Sequence, residues 1–242
     1  MPDPSVMTGA APTTMAEPAA PKPELLNSLG RLVRGLSALF WGLPIALVVS
    51  VQTAKSEWLR PLGIMPPIAA TALLFYGVMS LGHFQKQERV WNRALDRARI
   101  FALINLGLSP FVYWWSKIPS QPFFLMSIEV MAMSGLLFLF SLNPLLVRLT
   151  AMLPDETLRL ETKFFTTINR CLVLATMLVL LLYFGLGRMK ALPHQVTDFL
   201  ILLDRIGLWL ILFLVLLPVA MTMALIWKVK EVILASVFGG EH

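Results

Sequence analysis

The sequence predicts an all-α, polytopic membrane protein with six transmembrane helices, and three observations predict it. Of its 242 residues, 57% are hydrophobic and only 14% charged, with a mean hydropathy of +0.74. Six stretches, 36–52, 61–82, 100–116, 130–147, 171–187 and 206–227, contain no Asp, Glu, Lys or Arg. Each reaches the roughly 17 to 20 helical residues that a hydrocarbon core of about 30 Å requires. The basic residues between these stretches alternate in density, 14 in the segments on one side and 6 on the other. Lys and Arg accumulate in cytoplasmic loops. Both termini are therefore expected in the cytoplasm, with the chain in a plasma (inner) membrane.

Residues 1–24 hold six prolines and five alanines. Such a composition cannot bury enough apolar surface to fold, so a disordered cytoplasmic tail is expected there, followed by a transmembrane domain over 25–242. The tail lacks the basic start and short apolar core of a signal peptide, and the first span is expected to remain attached.

Each element then has its own signal. In 24–35, Leu25, Leu29, Leu32 and Val33 recur at helical spacing, which predicts an interfacial lead-in to the first span. Pro44 falls inside that span, and Pro66 and Pro67 open the second, where a missing N–H costs little. Segment 84–99 sets Phe84, Trp91, Leu95 and Ala98 on one helical face and Lys86, Arg89, Arg93 and Arg97 on the other. An amphipathic cytoplasmic helix is expected, its basic face available to an acidic partner. Pro110 interrupts the third span, which closes on Tyr113, Trp114 and Trp115 at the outer interface. The fourth span carries Ser127, Ser134 and Ser141 seven residues apart, a stripe that permits close helix approach. Pro144 sits near its inner end. Pro154, Asp155 and Glu156 suit a helix start, which would carry Leu158, Glu161, Phe165 and Ile168 along one face into the fifth span. Pro218 lies mid-way through the sixth, and Trp227 closes it at the inner interface.

Little chemistry is encoded. The one cysteine, Cys171, excludes an internal disulfide. His83 falls on the inner side and His194 on the outer, too far apart in depth to ligate a haem between helices. No HExxH, glycine-rich phosphate cradle or serine with a partnered histidine is present, and no carboxylate falls mid-membrane. A non-catalytic protein without cofactor or metal is expected. Its net charge of +6 is spread over loops and forms no block suited to nucleic acid. Its partners should be the lipid bilayer and either another membrane protein or a second copy of itself.

A few polar positions remain. Glu129 and Arg205 fall at the outer margin, where they can form an ion pair. Asn105 lies shortly after Arg99 and Asn143 shortly before Arg148, so both are expected to be shallow on the cytoplasmic side. The reading that follows is an accessory or scaffolding subunit that docks partners through its basic loops. The alternative is a small transporter or channel for an apolar or lipid-like solute, built from a 3+3 inverted repeat. In that case Asn105, Pro110, Asn143, Pro144 and Pro218 would mark its pathway.

Overall fold

The computed structural model describes residues 23–238 apart from 57, 83, 85–87, 153–155 and 187–193; the side chains of 23–26, 60, 157–158, 194–212 and 236–238 also lie outside the described set. Residues 1–22 of the expected tail, His83, Lys86, Pro154, Asp155 and the side chains of Leu158, His194 and Arg205 therefore fall outside it, whereas Pro23 and Glu24 already belong to a helix. Seven α-helices account for nearly all of the described residues: α1 (Pro23–Lys55), α2 (Met65–Leu81), α3 (Arg89–Leu108), α4 (Pro110–Lys117), α5 (Pro122–Ala151), α6 (Glu156–Leu186) and α7 (His194–Phe238). Among the described residues there is no strand. Among the described residues four stretches, Asn27–Lys55, Pro122–Ala151, Arg159–Leu186 and Phe213–Ala235, are long and apolar enough to cross a membrane. Large apolar side chains such as Trp41, Phe164, Leu178 and Phe213 are exposed around the outside. A lipid surround accommodates such a surface, whereas water does not.

The second and third apolar runs are realised differently from the other four. The second becomes a 3-10 turn (Arg60–Leu62), Gly63 at φ 62°, and the 17-residue α2. At 1.5 Å per residue α2 is about 25 Å long, slightly short of a typical hydrocarbon core. The third run is divided between α3 and α4 at Ser109–Pro110. Ser109 keeps helical dihedrals (φ −56°, ψ −34°), so the break lies in the hydrogen bonding. Proline at 110 supplies no N–H to the Leu106 carbonyl, and the Ser109 hydroxyl donates to that carbonyl instead, at 2.8 Å.

The amphipathic segment is not a separate surface helix. Its residues 89–99 form the first half of α3 and run without interruption into 100–108, because no Pro lies within 89–108 and its one glycine, Gly107, falls in the last turn. Pro44, Pro144 and Pro218 lie inside continuous helices, and α1 joins the expected lead-in and first span in one 33-residue element.

The helices form a closed ring in which α1 packs on α2, α2 on α3, α3 on α5, α5 on α6, α6 on α7 and α7 on α1. Glycine lets α1 and α2 approach closely. A Cβ added at Gly77 would lie 2.8 Å from Leu39 Cγ and 3.1 Å from the Gly35 carbonyl oxygen. Cross-helix contacts fix which ends lie together. Gly35 meets Ser80, Arg99 reaches Gly82, and Phe40 stacks on Trp227 at 5.5 Å. Lys228 pairs with Glu161, and the Arg170 guanidinium lies 4.9 Å above the Phe140 ring. The start of α1, end of α2, start of α3, end of α5, start of α6 and end of α7 thus share one end of the bundle.

Candidate functional site

Three places in the ring carry polar or open features. The first is the basic face of α3. Trp91, Leu95 and Ala98 are fully buried against the bundle, and the Phe84 ring meets Trp91 edge-on at 6.2 Å. Arg89, Arg93 and Arg97 project from the opposite side and are exposed. The neighbouring carboxylate, Asp96, is engaged by Arg99 at 3.2 Å. Three guanidinium groups are therefore presented by a helix whose other face is locked in place.

The second is a buried polar seam where α5, α6 and α7 meet. Asn143, Asn169 and Thr222 are 0%, 2% and 0% exposed. The Asn169 amide nitrogen donates to Asn143 Oδ1 at 3.1 Å and to Thr222 Oγ1 at 2.9 Å. The Thr222 hydroxyl in turn donates a hydrogen bond to the Pro218 carbonyl at 2.7 Å. Proline at 218 leaves the Leu214 carbonyl without its i+4 donor, and the Thr176 hydroxyl on α6 lies 3.1 Å from it across the interface, sharing its one hydrogen between Leu214 and its own Leu172 carbonyl at 2.8 Å. On the same face of α6, Thr162 and Thr166 are also buried. Asn169 Oδ1 and Thr162 Oγ1 have no hydrogen-bond partner. The seam stitches three helices together, and it lacks the ionisable group a proton relay would need.

The third is a cavity of about 330 Å³, partly open to the surroundings and lined by α1, α2, α3, α5, α6 and α7. Its walls are mainly aliphatic, including Leu43, Leu74, Leu139 and Val219, and Ser50, Thr71 and Asn105 add polar groups. Among the described residues, none of the side chains lining it is ionisable. Thr71 donates inward to the Pro67 carbonyl at 2.7 Å, whereas Asn105 spends one amide hydrogen on the Phe101 carbonyl at 2.8 Å. A Cβ built at Gly135 would meet only Asn105 Oδ1 within 4 Å, at an ordinary contact distance of 3.7 Å, so Gly135 lies beside Asn105 with space around it.

The positions singled out in the sequence separate into these places. Asn105 lines the cavity, Pro110 starts α4, and Asn143, Pro144 and Pro218 belong to the seam or adjoin it. The five do not form one continuous pathway. Asn105 also sits deeper than its distance from Arg99 implies, since it faces Gly135, more than three turns before Arg148 along α5. Arg99 is folded against Gly82 and is a poor marker of the membrane surface. Glu129 is half-buried on α5, and its expected partner Arg205 lies outside the described side chains. Asn169, Thr176, Thr222 and Gly135 were not singled out. The spacing 162, 166, 169, 176 is a helical stripe of Thr and Asn, and it was the available signal. Among the described residues no three His, Cys, Asp or Glu side chains converge as a metal would require. No family model, curated protein sequence or solved structure matches the chain, which leaves its geometry to carry the functional reading.

Proposed function

We propose that this chain is a six-span, non-catalytic integral membrane protein of the plasma (inner) membrane, with both termini cytoplasmic. It acts as an accessory or scaffolding subunit that docks a partner on its basic cytoplasmic face. The observation that carries this reading is the helix face of Arg89, Arg93 and Arg97, exposed on an element anchored by fully buried Trp91. Anchoring matters because a partner then meets charges already fixed in register, and the ordering cost of binding falls. The orientation is supported by the shared end described above. The four segments counted as cytoplasmic by charge are joined there by contacts such as Lys228 with Glu161. An acidic surface on a membrane or peripheral protein, or on a second copy of this chain, is the complementary chemistry.

Replacing Arg89, Arg93 and Arg97 together with Gln should release the partner that co-purifies in mild detergent, while expression and thermal unfolding stay as in the parent. A parent protein that always migrates alone, or a complex indifferent to the triple substitution, would overturn the proposal.

A second reading, a carrier of an apolar or lipid-like solute, is favoured by the cavity beside Asn105. An internal 3+3 repeat contributes little to it. The halves share proline positions, but α2 has 17 residues against 31 in α6, and the break at Pro110 has no counterpart in the continuous α7.

A further inference from the structure

We propose that the cavity is a binding site for an uncharged, single-chain lipid-like molecule bearing one hydrogen-bonding group, such as a long-chain alcohol, ester or quinone, held at Asn105. Volume sets the size. At about 330 Å³ the space lies at the lower end of ligand pockets, which suits one chain or a small ring system and excludes a two-chain phospholipid. Charge sets the class. Among the described residues the lining holds no ionisable side chain, so a carboxylate, phosphate or ammonium head drawn in as far as Asn105 would find no opposite charge to pair with.

Asn105 sets the polar group. It is only 7% exposed, its amide retains a second N–H beyond the one given to Phe101, and its oxygen lies beside Gly135 on the cavity wall. An amide so placed can both donate to a carbonyl and accept from a hydroxyl. Glycine at 135 in the middle of α5 is unfavourable for the helix, and its missing side chain is what leaves room beside Asn105. The seam closes the cavity at one end. Asn143 bonds back to the Leu139 carbonyl, and beyond it Leu142, Leu145, Leu146 and Leu149 are fully buried.

This inference shares its cavity with the carrier reading and names the class of molecule. Retention without transport would uphold it and remove only that reading. The test uses the full chain in membranes and hexadecanol carrying a diazirine and an alkyne as photoprobe. Labelling of the wild type should fall within 128–139 on α5 and be displaced by unlabelled hexadecanol, and far less by palmitate or hexadecane. Gly135→Leu should reduce that labelling roughly tenfold or more, since a misfit of even one methylene in an apolar pocket discriminates on this scale. It should also raise the unfolding temperature by filling the space. Gly107→Leu, at an exposed position with nothing within 4 Å, should leave labelling unchanged. Asn105→Leu should make hexadecanol and hexadecane equal competitors. Labelling that persists in Gly135→Leu, or that spreads evenly over the lipid-facing helices, would overturn the proposal.

Discussion

At residue scale, proline and threonine act as a pair across the α6–α7 interface. Pro218 frees the Leu214 carbonyl, and Thr176 answers it from the neighbouring helix. Thr176→Val keeps the shape and removes the donor, so it should cost about 1 kcal/mol, within the range found for polar contacts between membrane helices. In a Pro218→Ala background the chain supplies its own N–H, and the same substitution should cost close to nothing. Reversible unfolding in mixed micelles measures both, and equal costs in the two backgrounds would remove the pairing. Pro218 was visible in the sequence as a kink, but its partner was not. A threonine's neighbours across a helix interface depend on rotation and tilt, which spacing along one helix does not contain.

Among the elements, α6 shows most plainly how a membrane protein inverts the usual reading of an amphipathic helix. The sequence places Leu158, Glu161, Phe165 and Ile168 on one face, and Glu161, Phe165 and Ile168 are exposed. The buried face is instead Thr162, Thr166, Asn169, Val173 and Thr176. In water the apolar face seeks the core; in lipid, apolar side chains are as well solvated outside, and small or hydrogen-bonding residues occupy the interface. The same logic accounts for Ser127, Ser134 and Ser141, all buried along α5, a stripe the sequence did reveal. It also accounts for the glycines between α1 and α2, which it did not. Gly77→Ala should destabilise the bundle by about 1 to 3 kcal/mol, because its new methyl would collide with Leu39. Gly107→Ala, exposed with nothing within 4 Å, should stabilise by up to about 1 kcal/mol through helix propensity. Similar effects at the two positions would contradict the close crossing.

For the whole molecule, hydropathy was enough to locate every helix core, since burying an unpaired backbone group in lipid leaves a long apolar run little alternative to helix. It did not reveal the cavity, which arises where six helices meet at small residues from separate parts of the chain. Nor did it separate two topologies: among the described residues four helices are long and apolar enough to cross on that ground alone, while α2 is short and α3–α4 is broken. The central claim is that all six cross, with the basic segments on one side. With α1 and α5–α7 as the only spans, the whole of 56–121 would lie outside, Arg93 included. The most direct measurement is thiol labelling of intact cells in a Cys171→Ser background, with single cysteines at Trp58, Arg93 and Arg159. The six-span account predicts that an impermeant reagent reaches Trp58→Cys in intact cells, and reaches Arg93→Cys and Arg159→Cys only after the membrane is opened. Arg93→Cys reacting from outside together with Trp58→Cys would contradict it.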